Sequence, residues 1–137
     1  MKSAGKILIS IVAVYSAFGS YIFDWNQTHI YNPRWPPHAK FHNAQTMLLG
    51  TCLGLSALWT LWMFAGNRYD KLRFSVIFSG LYWITQAGAT SFPGTALVDP
   101  EFVHGGPLPA QLIVDVLMLV LLAVAYQLEL KQIKTAG

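Results

Sequence analysis

Apolar residues gather into four long blocks along the chain, at about 5–23, 44–66, 72–92 and 108–128, with shorter polar stretches between them. Each block runs about 19–23 residues, enough for a helix to cross a hydrocarbon core of about 30 Å. The pattern predicts helices at about 5–23, 37–66, 72–91 and 109–132. The second is extended back to Pro37 because proline fits the first position of a helix. These elements describe an all-α integral membrane protein, a four-transmembrane-helix bundle in which residues 1–137 form one domain. The first block reads as a crossing and not as a cleaved leader. Its apolar run is long for a leader, and Asp24-Trp25 stands where a small-x-small cleavage site would be needed.

Composition agrees with this pattern. The 137 residues are 54% hydrophobic and 11% charged, against about 25% charged in a soluble domain. Basic residues set the orientation. Lys2, Lys6, Arg68, Lys71, Arg73, Lys131 and Lys134 fall on one side, and only Arg34 and Lys40 on the other. Both termini are therefore expected in the cytoplasm, with loops 24–43 and 93–107 on the non-cytoplasmic side. The net charge of +3 reflects this anchoring. No basic helix or basic-aromatic stripe points to nucleic acid. The single cysteine, Cys52, permits no intrachain disulfide and reads as a small buried apolar residue.

The connector from Asp24 to Asn43, D-W-N-Q-T-H-I-Y-N-P-R-W-P-P-H-A-K-F-H-N, carries three of the four histidines, two of the five tryptophans and three of the seven prolines. Such a composition predicts a structured outer loop with a task. The fourth histidine, His104, belongs to the same side.

Helical spacing then places polar groups of all four helices at one level. Ser16, Ser20 and Asp24 form a stripe on the first helix; His38, His42 and Gln45 share a face of the second; Tyr82 and Gln86 share one on the third; Gln111 and Asp115 share one on the fourth. An acid inside a crossing costs several kcal/mol unless it has partners, so Asp115 marks either a helix–helix contact or a site. Asp99 and Glu101 read as turn residues of the second outer loop, Asp70 as a solvated charge among cytoplasmic cations, and Glu129 as a neighbour of Lys131 and Lys134 at the helix end.

Asp24, His38, His42 and Asp115 are the candidate catalytic groups, because carboxyl and imidazole groups in an apolar cavity titrate nearer neutrality. Asn26, His29, Trp35, Asn43, Gln45, Tyr82, Gln86 and Gln111 are the candidate substrate-binding groups. The expected activity is acid/base chemistry (isomerisation, epoxide opening or hydrolysis, or cyclisation) on a lipophilic substrate, with membrane lipids as surroundings and no cofactor. Two alternatives stand beside it. One is a non-catalytic accessory, assembly or lipid-binding subunit docking through loop 24–43. The other is a metal held by His38, His42 and His29, although H-A-K-F-H lacks the Glu of H-E-x-x-H. Gly50, Gly54 and Ala57 permit close helix contacts within the chain or in a homo-oligomer.

The run Asn32-Pro33-Arg34-Trp35-Pro36-Pro37-His38-Ala39-Lys40-Phe41-His42, with the helix layout around it, resembles the signature of a family of small four-helix membrane proteins of unsettled function. That resemblance implies the architecture and assigns no catalytic residue.

Overall fold

A computed structural model describes residues 3–103 and 110–135. Four helices account for most of them: α1 (Ala4–Asp24), α2 (Pro37–Trp62), α3 (Arg68–Ala89) and α4 (Ala110–Thr135), with one 3-10 turn, Pro100–Phe102, between α3 and α4. The described residues contain no strand. His104 and Pro109 lie outside them.

Local chemistry sets the helix ends. Ser3 caps α1, its hydroxyl accepting from Lys6 N at 3.2 Å. Pro37 stands at the start of α2, as the sequence predicts. The expected boundary between the second and third helices shifts towards the N-terminus. α2 ends at Trp62, where the Met63 N–H donates to the Trp59 carbonyl at 2.8 Å. α3 begins at Arg68 because Asn67 caps it: Asn67 Oδ1 accepts from Asp70 N at 2.9 Å, and Asn67 Nδ2 donates back to Asp70 Oδ2 at 2.6 Å. The segment read as a basic loop is thus the first turn of α3. That helix closes at Ala89, two residues before the expected end.

Each helix buries a stripe repeating at three- and four-residue steps. α1 buries Ile9, Val12, Ser16 and Ser20; α2 buries Met47, Gly50, Gly54, Ala57 and Leu61; α3 buries Leu72, Ser75, Ser79 and Tyr82; α4 buries Asp115, Met118, Leu122, Ala125, Glu129 and Ile133. This is the seam of an antiparallel bundle. α1 and α3 each pack on both α2 and α4, and they touch across the middle, holding α2 and α4 apart.

Small residues make the α1–α2 contact close. A Cβ on Gly50 would sit 2.6 Å from the Ser16 carbonyl oxygen. Gly54 packs on Ala13 and Ala17 in the same way. Serine, glycine and alanine share the seam with larger apolar residues, while Ile11, Val14, Phe18, Leu48, Leu55, Val116, Leu117 and Val120 face outward. Small residues at helix contacts and large apolar ones on the outer faces suit helices surrounded by lipid. Cys52 is exposed, not buried: it lies off the stripe through Gly50, Gly54 and Ala57.

Three helices, α1, α2 and α4, are long and apolar enough to cross a membrane. α2, at 26 residues, is about 39 Å long. α3, read from the sequence as a fourth crossing, is more polar, carrying Arg73, Ser75, Ser79, Thr85 and Gln86.

At the end of the bundle that holds Lys6, Arg68 and Lys131, Glu129 is only 2% exposed. The Ser3 hydroxyl donates to its carboxylate, and Arg68 Nη2 lies 3.9 Å away. Its partners are the start of α1 and the start of α3, not the Lys131 and Lys134 neighbours that the sequence suggests.

Candidate functional site

At the opposite end the helices splay around a cavity of about 1120 Å³. α1 contributes Tyr15, Ser20, Phe23 and Asp24; α2 contributes His42, Asn43, Thr46 and Leu49; α3 contributes Tyr82, Trp83 and Gln86; α4 contributes Gln111, Leu112 and Val114. His29 and Trp35 from the first connector and Leu97 and Val98 from the second complete the wall.

The first connector is a folded piece built on two asparagines. Asn26 Nδ2 donates to the Phe23 carbonyl at 2.6 Å, and its Oδ1 accepts from Thr28 N at 2.7 Å and Thr28 Oγ1 at 2.6 Å. This Asx turn reverses the chain just past α1. Asn32 is buried. Its Oδ1 accepts from Arg34 N at 2.9 Å and its Nδ2 donates to Glu101 Oε1 at 3.2 Å. Arg34 pairs with the same Glu101 carboxylate, and Trp35 Nε1 donates to Asp99 Oδ2 at 3.0 Å. Asp99 and Glu101, read from the sequence as turn residues, therefore clasp the second connector to the first. Their partners lie 64 to 69 residues away in sequence, which no local pattern could reveal.

The turn also aims His29. Thr28 Oγ1 gives its proton to Asn26 and lies 2.7 Å from His29 Nδ1, so it accepts from that nitrogen. A neutral His29 then carries its lone pair on Nε2. The ring stands edge-on to Trp35, with centroids 5.0 Å apart. Asp24 Oδ1 lies 3.9 Å from His29 Nδ1, and Asn43 Nδ2 donates to Asp24 Oδ2 at 3.4 Å. Asp24 sits at the C-terminal end of α1, where the helix dipole disfavours an acid; the pairings with His29 and Asn43 offset that cost.

Below this rim lies an aromatic wall. Tyr15 stacks on Trp83 with centroids 5.5 Å apart, and Tyr82 meets Trp83 edge-on at 5.0 Å. Polar atoms without partners surround it: Ser20 Oγ, Asn43 Oδ1, Trp83 Nε1 and Gln86 Oε1, all on lining residues. Asp115 is one turn beyond Gln111, 1% exposed, and neither carboxylate oxygen has a partner. It lies behind the lining, next to Val114, not on the cavity floor itself.

Asp24, His29, Trp35, His42, Asn43, Tyr82, Gln86 and Gln111 line this one space. Asn26, His38, Gln45 and Asp115 do not line it. Asn26 is engaged in the loop turn. His38 and His42 are exposed and pair with each other, Nε2 to Nε2 at 3.0 Å, while His42 Nδ1 meets Gln45 Oε1 at 3.2 Å. His29 does not join them, and no group of three or more His, Cys, Asp or Glu able to hold a metal ion exists among the described residues. The three-histidine ligand set is therefore not assembled: His29 is held at the rim by Thr28 and Asp24, apart from the pair on α2.

The family model for a family of unknown function, DUF6640, matches residues 8–137. No curated protein and no solved structure matches the chain.

Proposed function

Since the chain belongs to DUF6640, a family of unknown function, its site must carry the reading, and we propose that it is a small membrane-embedded enzyme doing acid/base chemistry on a lipophilic substrate. The observation that carries this is the pairing of Asp24 with His29 at 3.9 Å on the rim of a cavity of about 1120 Å³, whose body is aromatic and aliphatic. His29 Nε2 is the base, and the Asp24 carboxyl is the acid or the charge that stabilises the imidazolium. Asn43 holds Asp24 in place. Asp115, without a partner beneath the wall, adds a second carboxyl that a change in packing can bring into play.

The bundle inserts with both termini cytoplasmic, and the cavity opens towards the non-cytoplasmic half of the bilayer. This orientation is supported by Lys6, Arg68, Lys71, Arg73, Lys131 and Lys134, which gather at the end away from the cavity. Substrate enters laterally, since a large apolar molecule partitions into lipid. Isomerisation, epoxide opening and cyclisation all fit a donor and a base held beside an apolar chamber.

The test is conversion. Purified protein in micelles is given a total lipid extract, and products are followed by liquid chromatography and mass spectrometry. One lipid class should be transformed by the native chain and not by Asp24→Asn. An unchanged extract with the native chain contradicts the enzyme reading. A second reading, docking of a partner protein on the first connector, is favoured by the exposure of His38, His42, Trp25 and Tyr31; it predicts co-purification of one partner that is lost when Tyr31 and Trp25 are replaced by Ser.

A further inference from the structure

The cavity has a charge character that narrows its ligand. Among the described residues no lysine or arginine lines it. Arg34, the cation in the first connector, is turned to Glu101. Besides the Trp83 Nε1 donor and the imidazoles of His29 and His42, the wall offers acceptors. Asn43 Nδ2 donates to the Asp24 carboxylate, which fixes the amide orientation and leaves Oδ1 as a free acceptor. Gln86 lines the cavity as well, and its Oε1 has no partner. Asp24 stands at the rim. The faces of Tyr15, Tyr82 and Trp83 supply negative quadrupoles between them.

With no lysine or arginine beside them and His29 and His42 neutral, the Asp24 carboxylate, the amide oxygens and the aromatic faces attract positive charge and repel anions. We propose that this chamber binds lipophilic cations: its ligand class is an apolar body carrying a protonated amine or quaternary ammonium. Carboxylates, phosphates and diphosphates are rejected. The inference rests on the acid/base reading of the same site and deepens it. A neutral lipid protonated by Asp24 would develop positive charge where the amine binds, so a lipophilic ammonium resembles the charged species and not the starting lipid.

The test reads binding, not turnover. Full-length protein in phosphatidylcholine nanodiscs is titrated with dodecylamine, dodecanol and dodecanoate, following the fluorescence of Trp35 and Trp83 and subtracting partition into empty discs. The amine should bind about tenfold more tightly than the alcohol, with dodecanoate weakest. Asp24→Asn should bring amine and alcohol within about threefold of each other. Dodecanoate binding as tightly as the amine overturns the proposal, and so does an amine preference that Asp24→Asn leaves intact. The wild-type order alone decides the matter if the variant does not fold. Because no reaction is measured, loss of the enzyme reading through absent turnover leaves this binding order standing. A reversed order likewise leaves turnover to be judged by itself.

Discussion

Asp24 Oδ1 and His29 Nδ1 stand 3.9 Å apart, one on the last residue of α1 and the other in the loop that follows. The Asx turn of Asn26 brings them together. Their separation depends on the backbone reversal, so the pair is as rigid as that turn. Asn26→Ala should release it. Turnover is expected to fall about 10- to 100-fold with the helices intact, because misplacement by about 1 Å is enough for such a loss. Circular dichroism and conversion of lipid extract, read side by side, check both halves.

The clasp between the two connectors gives a second expectation. Trp35→Phe keeps an aromatic ring at this position but loses the indole N–H that reaches Asp99 at 3.0 Å. Amide exchange should quicken about fivefold in 24–36 and 95–103, equivalent to about 1 kcal/mol, with α1 to α4 unchanged. Arg34→Ala should do less, because the Arg34 side chain is 66% exposed and exposed pairs are worth about 0–1 kcal/mol.

Close packing of α1 on α2 predicts a stability cost at Gly50. An added Cβ would meet the Ser16 carbonyl at 2.6 Å, so the helices must separate. Gly50→Ala is expected to destabilise by about 1–3 kcal/mol and to lower the midpoint of thermal unfolding in detergent. Gly88→Ala, where nothing lies within 4 Å, is the control and should leave that midpoint unchanged or raise it.

Much of this architecture was legible in the sequence. Blocks of apolar residues gave the four helices, and Pro36-Pro37 placed the start of α2. The three-and-four spacing of Ser20 and Asp24, and of Tyr82 and Gln86, put those side chains on faces that meet at the cavity. Helical spacing works there because it is a local rule. The boundary at Asn67 was missed although the capping pair Asn67 and Asp70 was visible, since the basic residues around it were read as a loop. The Asp99–Trp35 and Glu129–Ser3 pairings were out of reach, because long-range partners leave no periodic trace. Asp115 shows the limit of the spacing rule. Its shared face with Gln111 follows from the i, i+4 step, but its direction, behind the wall, depends on how α4 is rotated against α1 and α3.

That buried acid supplies a further test. Asp115 is 1% exposed with both oxygens unpartnered, which opposes folding. Asp115→Leu should stabilise the bundle by about 1–4 kcal/mol, seen as a higher unfolding midpoint, and should reduce turnover. A stabilised variant with full activity would make Asp115 a packing residue.

The central claim is that Asp24 and His29 move protons to and from a lipophilic molecule. The most direct measurement runs the lipid-extract reaction in deuterated, heavy-oxygen water and searches the apolar products by mass spectrometry. Protonation at carbon leaves a non-exchangeable deuterium, and hydration or epoxide hydrolysis leaves one heavy oxygen. The account predicts one labelled product with the native chain and none with Asp24→Asn. An extract in which no lipid class is transformed or takes up label, or one in which Asp24→Asn transforms and labels as well as the native chain, contradicts it.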